Sequence, residues 1–161
     1  MTANEHTVPR TPVAPPIGLW LALAVSTLLV EAALVYIATA TPADVTLGIV
    51  QKIFYFHVGT AFAMLIAFVV GAGLSALDLV SPSDRVDAAA RAAVEVGVLF
   101  GAMVLISGPL WARKSWGIYW TWEPRVTLTL LVVLLALAVL MLRGMAPDSR
   151  TGRRVGAAMA V

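Results

Sequence analysis

The amino-acid sequence predicts an all-α fold: a polytopic membrane helix bundle of four transmembrane helices plus the start of a fifth. Three observations carry that expectation. The chain of 161 residues is 60% hydrophobic and 12% charged, whereas soluble domains are about 45–50% apolar and about 25% charged. Its mean hydropathy is +0.91. The apolar residues are also gathered into long runs, each able to cross a hydrocarbon core of roughly 30 Å at about 1.5 Å per residue.

The segment Met1–Pro16 is polar and rich in proline (Pro9, Pro12, Pro15, Pro16), which excludes a helix interior there; it reads as a disordered cytoplasmic tail. The first span covers Ile17–Ala40. Ala38-Thr39-Ala40 has the small-x-small form of a secretory cleavage site. The run is nevertheless longer than a signal h-region of about 7–15 residues, and the tail before it carries Arg10 as its one basic residue. The second span covers Ile53–Val80 and is followed by a charged stretch, Ser81–Arg91. The third, Val94–Trp111, is expected to stop at Gly108-Pro109. Residues 112–125 form a basic, acidic and densely aromatic loop. The fourth span, Val126–Leu142, is barely long enough to cross. Arg143–Arg154 is strongly basic, and the closing VGAAMAV reads as the opening of a fifth span. Residues 17–161 therefore form one transmembrane domain.

The net charge of +2 gives no reason to expect nucleic acid as a partner; the basic residues are better placed to set topology. With the N-terminus inside, the inner segments hold Arg10, Arg85, Arg91, Arg143, Arg150, Arg153 and Arg154, and the outer ones Lys52, Arg113, Lys114 and Arg125. Cysteine is absent, which removes disulfides, thiolate metal sites and thiol redox chemistry.

The stretch Trp111–Arg125 holds four of the chain's five tryptophans, with Tyr119, Arg113, Lys114 and Arg125 beside them. One reading is an aromatic belt at the headgroup level. The other is a platform for a flat ligand, apolar in its middle and anionic at one edge: aromatic faces stack on the plane and guanidinium groups take carboxylates. Haem with its two propionates fits that description.

The string Trp116-Gly117-Ile118-Tyr119-Trp120-Thr121-Trp122-Glu123-Pro124-Arg125-Val126-Thr127 resembles the tryptophan-rich signature of the haem-handling family of cytochrome c biogenesis. Within that family the chain looks most like the CcmC branch. The resemblance extends to TPAD (Thr41–Asp44), QKIFYFHVG (Gln51–Gly59) and SGPLWARKSWG (Ser107–Gly117). Glu123 is a departure, since the family usually has aspartate there; the carboxylate moves outward by one methylene.

The resemblance implies that haem b is held at the outer, periplasmic face of a bacterial inner membrane. It would then be passed to a periplasmic haem chaperone for attachment to apocytochrome c. Other maturation subunits, including an ABC-type release complex, would be partners. His57 would be the axial ligand of the haem iron. A histidine in an apolar run is also a common hydrogen-bonded packing residue, but ionisable groups within membrane spans are costly and usually functional, and neutral imidazole is a frequent haem ligand. Trp116, Gly117, Tyr119, Trp120 and Trp122 would form the platform. Arg125, with Arg113 or Lys114, would meet the propionates, and Glu123 would orient one of them. No conventional catalytic residue is expected. A cytochrome c synthase with a related signature is a neighbouring reading; a membrane scaffold or permease subunit is a more distant one.

The resembling family has six spans and a second axial histidine in the outer loop after the fifth. No histidine follows His57, and His6 lies in the inner tail. Met64 is on the same helix as His57, roughly 10 Å deeper; Met103, Met145 and Met159 are no better placed. The expectation is a fragment, or half of a split protein whose partner chain supplies the missing spans. Glu31, midway along the first span, reads either as a packed, hydrogen-bonded carboxyl or as a contact site. Gly97 with Gly101, and Gly71 with Ser75, are spacings that permit close helix contact.

Overall fold

The computed structural model describes residues 15–145 and 150–161, apart from the side chains of residues 150–153 and 155. Among the described residues the regular structure is helical: α1 (Ile17–Thr39), α2 (Gln51–Val80), α3 (Asp84–Trp116), α4 (Pro124–Met145) and α5 (Arg150–Met159). Four of these, α1 to α4, are long and apolar enough to cross a membrane, so the expected polytopic bundle is what the chain forms. The expected disordered tail falls almost wholly outside the described residues. Pro15 and Pro16 are described, and Pro16 is extended at φ −61°, ψ 145° where α1 begins.

Contacts divide the chain into two units, residues 1–40 and 41–161. The first contains α1, whose 23 residues are apolar on every face, as suits a helix solvated by lipid. Glu31 interrupts it near the middle.

In the second unit α2 and α3 form an antiparallel pair, with α4 laid against α3. Small residues make the approach close. A methyl group added at Gly97 would lie 2.5 Å from the Phe68 ring, and one at Gly101 would lie 2.6 Å from Val133 Cγ2. Gly71, Ser75, Gly97 and Gly101 are all buried. Lipid tails offer no hydrophobic drive for helix association, so packing at such small residues carries much of the cohesion. The central core is Met64, Val104 and Val133, bordered by Phe68, Phe100, Leu105 and Leu137.

The ends of α3 differ from the sequence expectation. The charged stretch after α2 is mostly helix: only Ser81–Ser83 turns, held by the Ser83 N–H donating to Asp78 Oδ1 at 2.8 Å. Asp84 and Asp87 then occupy the first turn of α3, where carboxylates suit the positive end of the helix dipole. Pro109 does not end the helix. It sits inside it, and α3 runs on to Trp116. Without an N–H, Pro109 makes no bond to the Leu105 carbonyl, and the rest of the long helix tolerates that single loss. Arg113 and Lys114 therefore belong to the last turn of α3, complementing its negative end, rather than to a loop. Gly117 terminates it in the left-handed region at φ 80°, a conformation that favours glycine. Pro124 starts α4, where its missing N–H costs little. The connection is thus residues 117–123, shorter than the expected 112–125.

At the other end of α4, Arg143 Nη1 donates to Asp87 Oδ1 at 2.7 Å across to α3. Gly156 of α5 packs directly on the Arg143 side chain. The closing apolar residues thus belong to a short helix packed on α2 and α4.

Candidate functional site

One end of the second unit gathers the start of α2, the end of α3 and the start of α4. The residues 41–50 leading into α2 fold tightly. Asp44 Oδ1 accepts from the Thr46 and Leu47 N–H groups, both at 2.8 Å, and Gly48 turns the chain at φ 62°. These two backbone bonds, Leu47 foremost, hold the Asp44 carboxyl below the ordinary aspartate range.

Between the three helices lies a cavity of about 580 Å³, within the span of roughly 300–1,000 Å³ usual for small-molecule and cofactor sites. Helical periodicity explains its walls. On α2, Phe54, His57, Ala61 and Met64 recur at intervals of three or four and share one face. On α3, Val104, Gly108, Trp111 and Ala112 do the same. Trp116, Tyr119, Trp120, Thr121 and Arg125 close the cavity at the connection and the first turn of α4. The walls are chiefly apolar, and Met64 and Val104 belong both to the cavity floor and to the core beneath it.

The aromatic residues brace one another. Trp111 is 6.0 Å from Phe54 and 5.5 Å from Trp116, the latter edge-to-face. Trp120 meets Trp122 edge-to-face at 5.7 Å. Guanidinium groups cover two rings: Arg113 lies 5.6 Å from Tyr119 and Arg125 lies 5.8 Å from Trp116, a favourable approach of cation to ring face. Arg113 also donates to the Gly117 carbonyl, and Arg125 pairs with Glu123 at 2.6 Å.

Of the residues singled out from the sequence, His57, Trp116, Tyr119, Trp120 and Arg125 line the cavity. Gly117, Trp122, Glu123, Arg113 and Lys114 do not. Gly117 shapes the turn, Trp122 buttresses Trp120 from an exposed position, Glu123 holds Arg125, Arg113 holds Tyr119 and Gly117, and Lys114 is exposed. The sequence reading passed over Phe54 and Gly108 as site residues, and placed Trp111 only within the aromatic stretch. Phe54 was detectable, one helical turn before His57 on the same face.

The Nε1 atoms of Trp111 and Trp120 and the Thr121 hydroxyl are buried without a hydrogen-bond partner among the described residues. Buried polar atoms are nearly always paired, so these three stand out. Among the described residues no three of His, Cys, Asp and Glu gather to hold a metal ion.

The fold and site together define a multi-pass membrane protein with a histidine-bearing, tryptophan-walled cavity at one end of its bundle. A family model described as heme exporter protein C, CcmC, matches residues 8–161, and the chain belongs to that family. It is similar to heme exporter protein C of Bradyrhizobium diazoefficiens, 33% identical over 81% of this chain and 50% of that protein. It is also similar to heme exporter protein C of Escherichia coli K12, 28% identical over 85% of this chain and 56% of that protein. A putative cytochrome c biosynthesis ccmC-like mitochondrial protein of Marchantia polymorpha is 28% identical over 66% of this chain and 47% of its own length. The chain thus spans about half the length of the curated relatives it matches.

Proposed function

We propose that this chain binds haem b in the cavity between α2, α3 and α4 and hands it on during c-type cytochrome maturation. The observation that supports this most is the meeting of His57, Trp116, Trp120 and Arg125, from three helices and the connection between two of them, around one apolar cavity. Haem supplies a flat apolar ring, an iron that accepts an axial nitrogen, and two propionates. His57 offers the axial nitrogen. Trp116, Tyr119 and Trp120 offer ring faces and edges and exclude water from the plane. Arg125, more than half exposed and already paired with Glu123, is placed to exchange that carboxylate for a propionate; Arg113 and Lys114 add positive potential nearby. Met64, on the same face of α2 as His57, serves as floor to the cavity rather than as a second ligand from the opposite side.

In this reading the cavity opens toward the periplasmic side of the bacterial inner membrane and the N-terminus is cytoplasmic. The acceptor is a periplasmic haem chaperone, and the other membrane subunits of the maturation system, with their ABC-type release complex, are the assembly partners. Support for the orientation comes from Arg85 and Arg91 in the opening turns of α3, Arg143 in the last turn of α4 and the arginines of α5.

The test is haem binding by the purified chain. The parent should show a Soret band when expressed in haem-replete cells. His57→Ala should abolish it or change its position. Trp120→Ala should lower occupancy with little change in band shape. Arg125→Ala should weaken binding by a charge-assisted contact of about 1.5–3 kcal/mol. Haem content unchanged in all three variants would rule the site out.

A further inference from the structure

Ser107 has no part in the reading above, yet it makes the one hydrogen bond that the His57 side chain forms among the described residues. Its Oγ lies 2.9 Å from His57 Nδ1, joining α3 to α2. Ser107 is itself buried. Its hydroxyl donates to the Met103 carbonyl, one turn earlier, at 2.7 Å. A serine hydroxyl carries one proton. With that proton given to Met103, Oγ is left with lone pairs only, and the bond to His57 then requires the proton to be on Nδ1. A neutral imidazole with Nδ1–H has its free lone pair on Nε2. The neighbouring residue completes the seat: a methyl group at Gly108 would stand 3.0 Å from His57 Cε1, so glycine leaves the ring the room this orientation needs.

We propose that Ser107 is the positioning residue for His57, fixing it as the Nδ1–H tautomer so that Nε2 is the nitrogen presented for ligation. The tautomer assignment stands on the hydrogen-bond chain alone; its consequence for ligand binding rests on the haem reading. The chain of command runs from the Met103 carbonyl through Ser107 Oγ to Nδ1. Outer partners of this kind orient a metal-binding histidine, and their loss typically weakens metal affinity about 10–100-fold.

The experiment has two arms on the full chain in detergent. In the first, nitrogen NMR of histidine-labelled, haem-free protein reads the His57 tautomer directly, with His57→Ala to assign the signal. The parent and Ser107→Thr, which keeps the hydroxyl, should show Nδ1 protonated and Nε2 bare. Ser107→Ala should show a mixture or the reverse. In the second, haem is titrated into the same proteins. Ser107→Ala should bind about 10–100-fold more weakly and Ser107→Thr close to the parent. Gly108→Ala should shift the histidine signals while leaving helix content unchanged, because it displaces the ring and not the fold. An Nε2–H tautomer in the parent, or Ser107→Ala indistinguishable from it in the NMR arm, overturns the proposal. The expected tautomer pattern in a parent that takes up no haem would sustain the positioning role and sink the haem reading instead, so the two failures are told apart.

Discussion

Arg143 and Asp87 offer the sharpest energetic test of the packing between α3, α4 and α5. The Arg143 side chain is 7% exposed and that of Asp87 25%, with 2.7 Å between Nη1 and Oδ1. At that depth neither charge is hydrated as it would be in water, and each is tolerated because the other neutralises it. Arg143 Nε already lacks a partner. Asp87→Asn would leave the guanidinium buried beside a neutral amide. Breaking one side of a buried pair costs about 3–5 kcal/mol, and the partial exposure of Asp87 argues for the lower end, about 3 kcal/mol. At about 2–4 °C per kcal/mol for a chain of this size, the midpoint should fall by about 6–12 °C. Arg143→Met removes the costly cation and lets the Asp87 carboxylate draw on its remaining solvent contact, so the loss should be smaller. The double variant should be less destabilised than the sum of the singles, with a coupling of about 1–3 kcal/mol. Thermal unfolding of the four detergent-purified proteins, followed by circular dichroism, measures the cycle. Additivity within about 0.5 kcal/mol would show that the pair carries no stability, and that α5 is docked by something other than the neutralised arginine.

Three further outcomes are expected. Gly101→Ala sets a methyl group 2.6 Å from Val133 and should cost about 1–3 kcal/mol through overpacking, read as a lower unfolding midpoint; a neutral result would mean that α3 and α4 slide apart freely. The Asp44 carboxyl is held below its ordinary range by the Leu47 and Thr46 amides, so its contribution is present above the unfolded aspartate range and lost as pH falls through the lower folded value. Protection of those two amides, measured against the intrinsic exchange rate at each pH, should therefore persist into mildly acid solution and fall only below the usual aspartate range, while Asp44→Ala should lower it wherever the carboxylate is ionised. Single cysteines at Ala43 and Ser115 should react with an impermeant reagent from the periplasmic side and one at Ser83 should not; the opposite pattern would invert the proposed orientation.

The apolar runs made α1, α2 and α4 legible to within a few residues, because a span announces itself through composition. The ends of α3 were hidden for opposite reasons. At its start, Asp84, Arg85, Asp87 and Arg91 look like a loop, yet charges are ordinary on a helix that projects beyond the apolar layer. At its end, Pro109 looks like a stop, yet one missing hydrogen bond does not outweigh the packing on either side. In the site, the tryptophan string and His57 stood out as residue types that are costly or rare in such places. Ser107 and Gly108 did not. Their meaning comes from a ring fifty positions away, and neither residue type signals a distant partner. Arg143, counted as a topological charge, also pairs with Asp87 of another helix, a contact its residue type did not announce.

The connection between α3 and α4 has a mechanical consequence. Residues 117–123 run from the left-handed Gly117 to Pro124, which opens α4. Trp120 and Tyr119 ride on that short bridge, whereas His57 rides on α2. Any displacement of α4 relative to α2 would therefore change the separation of the aromatic wall from the histidine. The two sides of the cavity are thus carried by different helices.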